Sequence, residues 1–322
     1  MSSVSASRVV VVGGGTMGAD VAVVFLRGGH PVTLVERDAA RAAALPAQVR
    51  TALAPLGREA AADALGVVGH LDAVPWAGTT LVVECIVEQL APKQALFADL
   101  VARAPADALL ASNSSGLPIS RIAEGLATRH RMMGLHFFMP AHLVPLVEVV
   151  LGPDTDPALA QDLMATMRGC ASVPVLVRKD RPGFLANRLQ HALSREAFAL
   201  LDDGVASAED IDAAVRFGFG FRFLAAGPVM QREHAGFDIH CAAAATIYPS
   251  LCNDAQPAAV MRDLVDAGRF GMKAGAGLKD WDTDAMAAER ARYQRLLRRG
   301  LELLHDELPP LPRLNDDSAE RP

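Results

Sequence analysis

The stretch RVVVVGGGTMGADVAVVFLRGGHPVTLVER, residues 8–37, leaves few folds open. An apolar β-branched run, Val9 to Val12, enters the turn Gly13-Gly14-Gly15-Thr16-Met17-Gly18. A helix-compatible segment, Ala19 to Arg27, follows and is stopped by Gly28 and Gly29. A second apolar strand, Val32 to Val35, ends on Glu36. Strand, glycine turn, helix, strand and acid, in that order, predict a dinucleotide-binding βαβ unit. Gly13 allows the tight turn, Gly15 lets a pyrophosphate approach the backbone, and Gly18 lets the helix pack close to the sheet. With Thr16 and Met17 these glycines form the expected phosphate cradle, facing the free N–H groups and positive dipole end of the helix. Glu36 lies where a carboxylate accepts hydrogen bonds from ribose hydroxyls and repels a 2′-phosphate, so the expected cofactor is NAD. Arg37 keeps NADP as the alternative, because a neighbouring guanidinium neutralises a phosphate.

The chain has 322 residues, enough for two domains, and 51% hydrophobic against 21% charged residues suits a globular protein. A net charge of −6 without a basic patch argues against nucleic acid as a partner. No basic segment and cleavage site precede the first strand, and no apolar run reaches membrane-spanning length, so a cytoplasmic protein without a membrane partner is expected. Cys85, Cys170, Cys241 and Cys252 are scattered without metal-binding spacing and read as reduced thiols; no metal site is expected. Met1 to Ser7 and Asn315 to Pro322 read as disordered ends.

Further strands are expected at Val67-Val68, Thr80–Cys85, Ala108–Ala111, Arg131–Phe138, Leu146–Leu151 and Val173–Val177. Alanine-rich helical sequence, broken by Pro46 and Pro55, fills residues 38–57, and helices at Lys93–Ala102 and Pro157–Arg168 alternate with the strands. This is the pattern of an α/β, Rossmann-like doubly wound, mostly parallel sheet. Ligands then sit outside the carboxyl ends of the strands, which places Gly13–Gly18, Glu36, Glu88, Ser112–Ser115 and His136 along one rim. After Asp180-Arg181-Pro182-Gly183 strand patterns stop and an all-helical C-terminal domain is expected, with helices at Phe184–Leu201, from Ser207, and at Val229–Ala245, Pro257–Ala267 and Asp284–His305. The expected division is 1–179 and 180–322.

Two stretches carry chemistry, Gly134-Leu135-His136-Phe137-Phe138-Met139-Pro140 and Pro145-Leu146-Val147-Glu148-Val149. A histidine ending one strand and a glutamate in the next can meet as a hydrogen-bonded pair, the carboxylate fixing the tautomer and stabilising the imidazolium. Alcohol oxidation beside a nicotinamide needs such a base. Ser115 and Asn187 can add hydrogen bonds to the reacting oxygen. Composition alone also accommodates a core histidine between aromatic neighbours.

The chain resembles the 3-hydroxyacyl-CoA dehydrogenase superfamily over nearly its whole length. The residues that carry the resemblance are VVGGGTMGADVA (Val11–Ala22), VVECIVEQLAPKQALF (Val82–Phe97), ASNSSGLPIS (Ala111–Ser120), GLHFFMP (Gly134–Pro140), PLVEVV (Pro145–Val150), DRPGFLANRL (Asp180–Leu189), SAEDIDAAV (Ser207–Val215) and FGMKAGAG (Phe270–Gly277). The resemblance implies a Rossmann-like NAD-binding domain and a helical domain that mediates homodimerisation. It implies His136 as catalytic base, Glu148 as its paired acid, Ser115 as a contact to substrate and cofactor, and Asn187 beside the substrate oxygen. It implies Glu88, Lys93 and Lys273 as cofactor contacts. Met139 stands where the family usually has asparagine, and it lacks the amide's donor and acceptor, so the nicotinamide end is expected to be held differently.

Within the superfamily the pattern is most similar to the λ-crystallin, L-gulonate 3-dehydrogenase and carnitine dehydrogenase branch. The Glu36–Thr80 segment is short and has no lysine, only Arg37, Arg41, Arg50 and Arg58, a poor match to a coenzyme A clamp. Gly218-Phe219-Gly220-Phe221-Arg222-Phe223 followed by Gly227-Pro228 is also similar to that branch. The expectation is NAD-dependent oxidation of a small 3-hydroxy acid, or the reverse reduction. Arg222 is either the partner of a free carboxylate or a brace at a junction. A 3-hydroxyacyl-CoA dehydrogenase, and a non-catalytic NAD-binding or crystallin-like structural protein, are the alternatives.

Overall fold

The computed structural model describes residues 7–312. The expected disordered ends therefore lie outside the described residues, with one exception. Ser7 is held in place, its backbone N–H donating to His30 Nδ1 at 3.0 Å.

The strands are β1 (Arg8–Val12), β2 (Val32–Val35), β3 (Leu65–Val68), β4 (Thr79–Glu84), β5 (Leu109–Ser112), β6 (Met132–Phe137), β7 (Leu146–Leu151) and β8 (Val173–Val177). The first helices are α1 (Thr16–Arg27), α2 (Ala39–Leu53), α3 (Leu90–Arg103), α4 (Ile119–Ile122) and α5 (Pro157–Gly169). One eight-stranded sheet runs in the order β3-β2-β1-β4-β5-β6-β7-β8. β1 to β6 are parallel to one another, β7 is antiparallel to β6, and β8 is parallel to β7. Strand order reverses between β1 and β4, which puts a crevice outside their carboxyl ends.

The continuous apolar strands are explained by burial on both faces. Along β1, Val9 and Val11 pack with Phe25 of α1, Leu45 and Val49 of α2, and Met167 of α5. Val10 and Val12 point the other way, to Phe97 and Leu100 of α3 and to Ile119 and Ile122 of α4. Helices on both faces make the sheet doubly wound, as the alternation of strand and helix patterns predicts.

Pro46 does not break its helix. It sits inside α2, which runs unbroken from Asp38, whose side chain accepts the Arg41 N–H, to Leu53. An interior proline costs about 3 kcal/mol by removing a hydrogen bond and crowding the preceding turn. Here Leu45, Val49 and Leu53, spaced four apart and fully buried, pin one helix face to the core and offset that cost. Pro55 does mark the end, in the tight turn Ala54–Leu56.

The described residues divide into two compact units, 7–187 with 306–312, and 188–305. The expected division at 179/180 falls in the loop between β8 and the next helix, α6 (Ala186–Asp202). The second unit is helical: the rest of α6, then α7 (Ala208–Ala213), α8 (Met230–Ala235), α9 (Phe237–Ile247), α10 (Ala259–Asp266) and α11 (Thr283–Leu303). Gly236, at φ +91°, divides the helix expected over Val229–Ala245 into α8 and α9. Ser207 caps α7 by accepting the Asp210 N–H, as its sequence predicts. Phe217, Phe221, Val229, Phe237, Ile239 and Leu303 are all exposed, so this unit offers solvent much of its apolar surface.

Candidate active site

At Gly13, φ is +105° and an added Cβ would lie 2.7 Å from the Cys85 carbonyl oxygen. At Gly18 an added Cβ would fall 1.7 Å from the Gly13 carbonyl oxygen. These two glycines serve the turn itself. Gly15 differs, since nothing lies within 4 Å of where its Cβ would be. It opens the space a pyrophosphate needs. Gly15 is also the N-cap of α1, with no side-chain cap and no acid in the first turn, so the start of the helix, Thr16 and Met17 included, is left for an anion.

Glu36 directly follows β2 and reaches the glycine turn. Its Oε2 accepts the Gly14 N–H at 3.0 Å and the Arg41 guanidinium at 3.2 Å, and its Oε1 accepts the Asp38 N–H at 2.8 Å. A carboxylate offers about four acceptor positions, so roughly one stays free until Arg41, which is half exposed, moves aside. A cleft of about 670 Å³ is lined by Gly13, Glu36, Arg37, Ile86, Val87 and Leu96. An acid, a nearby guanidinium and apolar walls suit a ribose and an adenine ring, and the residues present fit the dinucleotide.

The loop after β5 is clamped by carboxylates from the β4 end. Glu88 Oε1 accepts from the Ser114 hydroxyl at 2.6 Å, the Ser115 N–H at 3.0 Å and the Gly116 N–H at 2.9 Å. The Ser115 hydroxyl is 3.4 Å from the same oxygen. Lys93 of α3 lies behind, 2.7 Å from Glu84 and 3.3 Å from Glu88. Glu84, absent from the expected set, also accepts the Ser112 hydroxyl at 2.6 Å and the Ile86 N–H at 2.7 Å. The structure changes the reading of Lys93. At 1% exposure its ammonium meets a ligand only through the groups in front of it, so it braces Glu84 and Glu88 from within the core.

Burial pushes the Glu88 carboxyl up, but the Ser114 hydroxyl, the Gly116 N–H and Lys93 together outweigh it and hold Glu88 below its ordinary value of 4.5. Burial raises the Cys170 thiol to about 12 despite nearby Arg27, and burial together with the Glu84 carboxylate drives Cys85 higher still, so both stay protonated.

β6 and β7 carry the candidate catalytic pair. Their antiparallel register sets His136 opposite Glu148. His136 Nδ1 lies 2.8 Å from Glu148 Oε2, and both side chains are buried. Glu148 Oε1 accepts the Leu185 N–H at 3.1 Å and the Ala186 N–H at 2.7 Å, the first residues of α6 and its approach. The imidazole is flanked by Phe138 at 4.5 Å and Phe184 at 5.5 Å between ring centroids. Asn187 follows directly, its amide donating to the Ser115 carbonyl at 3.3 Å. His136, Glu148, Asn187, Ser115, Glu88 and Lys93 are thus joined by one continuous set of contacts. Met139 is 65% exposed beside them. Lys273 and Arg222 belong to the second unit. Lys273 lies 5.3 Å from the centre of the Phe270 ring, and Arg222 is exposed on the short turn Phe221–Leu224. Among the described residues no group of three or more His, Cys, Asp or Glu could hold a metal, and no helix is long and apolar enough to cross a membrane.

Residues 8–181 match the 3-hydroxyacyl-CoA dehydrogenase NAD binding domain, and residues 183–281 match the 3-hydroxyacyl-CoA dehydrogenase C-terminal domain. The chain belongs to the 3-hydroxyacyl-CoA dehydrogenase family. It is an NAD-dependent dehydrogenase of that family. It is 32% identical to 5-formyl-3-hydroxy-2-methylpyridine 4-carboxylate 5-dehydrogenase of Mesorhizobium japonicum, over 92% of this chain and 98% of the relative. It is 38% identical to L-carnitine dehydrogenase of Streptomyces griseus, over 71% of this chain and 70% of the relative. A solved structure titled as that pyridine-carboxylate dehydrogenase, an NAD⁺-dependent dismutase, superposes with a TM-score of 0.86 at 30% identity, covering 92% of this chain and 99% of the other.

Replacing Glu36 by serine removes the group set against a 2′-phosphate and frees Arg41 beside Arg37. Titration of the Glu36→Ser variant should show NADH affinity down on the order of tenfold and NADPH affinity up, since hydrogen bonds to charged groups contribute about 1.5–3 kcal/mol. Unchanged preference for NADH would contradict this role. Glu88 gives a second test. Its pKa is lowered on folding, so its stabilisation is complete above pH 4.5 and is lost as pH falls below that value through the folded-state pKa. Glu88→Gln should therefore melt at a lower temperature than the parent at neutral pH, with the gap closing on acidification.

Proposed function

We propose that the chain oxidises a small, free 3-hydroxy acid to the 3-oxo acid, or runs the reverse reduction, with His136 as general base. The observation that carries the reading is the buried His136–Glu148 pair at the rim where the dinucleotide turn also opens. Glu148 accepts a hydrogen bond from Nδ1–H, which leaves Nε2 to accept a proton from a substrate hydroxyl. Two backbone N–H groups hold the Glu148 carboxylate in place through its other oxygen, and the carboxylate stabilises the imidazolium once the proton has moved. When bound, NAD supplies the hydride acceptor. Phe138 and Phe184 keep water from the imidazole faces. Ser115 and Asn187 donate hydrogen bonds to the reacting oxygen, and Gly13, Gly15, Gly18, Glu36 and Glu88 shape the cofactor cradle.

A free acid is favoured over a coenzyme A thioester by what three of the four arginines of the Glu36–Thr80 segment already do, Arg37 being the one that lines the dinucleotide cleft. Arg41 pairs with Glu36, and Arg50 with Asp63 and the Glu59 carbonyl. Arg58 donates to the carbonyls of Arg27 and Pro312. Such engaged cations are poor receptors for coenzyme A phosphates. Relatives named for small carboxylates support the same choice. Arg222 is the cation we assign to the substrate carboxylate, and Lys273 to the cofactor. The exposed apolar residues of the second unit support a homodimer formed through it. Four unpaired cysteines suit the cytoplasm.

The test is NADH oxidation against 3-oxo acids and 3-oxoacyl-CoAs side by side. Turnover should be higher on free acids, and preference for acetoacetyl-CoA would replace this reading with the thioester enzyme. His136→Ala should lose on the order of 10²-fold or more in kcat, and near-normal activity would overturn the base assignment. Arg222→Ala should raise KM for the acid and leave KM for NADH unchanged, while unchanged KM for the acid would remove the carboxylate contact.

A further inference from the structure

α1, the helix whose start faces the phosphates, carries a buried acid that the mechanism above does not use. Asp20 is 7% exposed in a helix otherwise buried almost entirely through apolar residues. A buried aspartate is rare without partners. Both oxygens of Asp20 reach across to one place, 121 and 122 residues away in sequence. Oδ2 accepts the Ala141 N–H at 2.9 Å. Oδ1 lies 2.9 Å from His142 Nδ1. Arg27, two turns further along the same face of α1, donates from Nη1 to the His142 carbonyl at 3.0 Å and from Nε to the Cys170 carbonyl at 2.7 Å.

The segment gripped in this way is the connection between β6 and β7, the strands that carry His136 and Glu148. It begins with Phe138, whose ring lies 4.5 Å from the His136 ring, and continues through exposed Met139. From Pro140 it closes on itself, the Pro140 carbonyl accepting the N–H groups of Leu143 and Val144. This short turn is therefore tied to α1 at Ala141 and at both the side chain and the carbonyl of His142. A shift of the turn moves Phe138 against the imidazole. It also moves the point from which Met139 projects.

We propose that Asp20 and His142 form a positioning pair that holds the β6–β7 connection on the phosphate-facing helix and thereby fixes Phe138 and the imidazole of His136. The proposal rests on His136 being the base. It adds that the alignment of the base depends on a helix residue that touches neither the base nor the reacting atoms. Asp20 is a positioning residue, and its loss should leave the cofactor cradle intact while the imidazole loses its fixed setting.

The experiment compares Asp20→Ala, Asp20→Asn and His142→Phe with the parent, using NADH binding, kcat and KM with acetoacetate, and the NMR signals of the His136 ring. The signals are assigned from His136→Gln. In Asp20→Ala we expect displaced His136 ring signals, NADH affinity within threefold of the parent, and kcat down about tenfold or more, as small misplacements of catalytic groups produce. Asp20→Asn keeps an acceptor for Ala141 and should recover most of the loss. His142→Phe keeps the ring shape without the bond, and should show a smaller displacement in the same direction; it carries the test if Asp20→Ala does not fold. His136 signals at the parent positions in both Asp20→Ala and His142→Phe would overturn the proposal, whatever their melting temperatures. A parent enzyme inactive on acetoacetate and all other acids would instead overturn the free-acid reading, and leave the ring signals to decide the role of Asp20.

Discussion

The antiparallel register between β6 and β7 is the constraint on which the rest of the site depends. Strands β1 to β6 run parallel, and His136 lies at the carboxyl end of the last of them. Only a reversal of direction brings the beginning of β7, with Glu148, to the same rim. A slip of one residue would turn Glu148 to the opposite face of the sheet. An isolated carboxylate at 0% exposure would be several kcal/mol unfavourable. Glu148 is stabilised by the imidazole on one oxygen and by two backbone N–H groups on the other. The His136–Glu148 pair and the start of α6 therefore require each other.

The same device recurs along the rim. Glu36 holds the Gly14 and Asp38 N–H groups, Glu84 holds that of Ile86, Glu88 those of Ser115 and Gly116, and Asp20 that of Ala141. Each acid projects from a strand end, a helix or the loop beside them and takes up backbone donors of a loop that no strand partner satisfies. Loops that must approach a ligand closely cannot be packed with bulky side chains. Charge-assisted hydrogen bonds from below fix them instead.

The sequence disclosed these features unevenly. The cradle was legible because its glycines answer local demands, a positive φ at Gly13 and a close approach at Gly18, which fixed spacing expresses. The doubly wound sheet was legible from uninterrupted valine runs alternating with helical segments, since such runs suit a sheet covered on both faces. His136 and Glu148 were legible through family resemblance more than composition, since a buried histidine among phenylalanines is equally the signature of a core. Glu84 escaped notice because its partner Lys93 arrives on a separate helix, and no local pattern records how α3 lies on β4. Asp20 was hidden for a similar reason, its partners being more than a hundred residues away. Pro46 misled because propensity describes an isolated helix, whereas three buried anchors decide this one.

Glu36 has one more consequence. Its carboxylate is oriented by Gly14 and Asp38 in the chain itself. The loss of rotamer freedom is thus incurred during folding and not when a nucleotide arrives. A receptor already set in its bound geometry forgoes the ordering penalty that a floppy acid would add to each encounter. A ribose bound there, as proposed, would meet a carboxylate already set by two backbone hydrogen bonds of the chain itself.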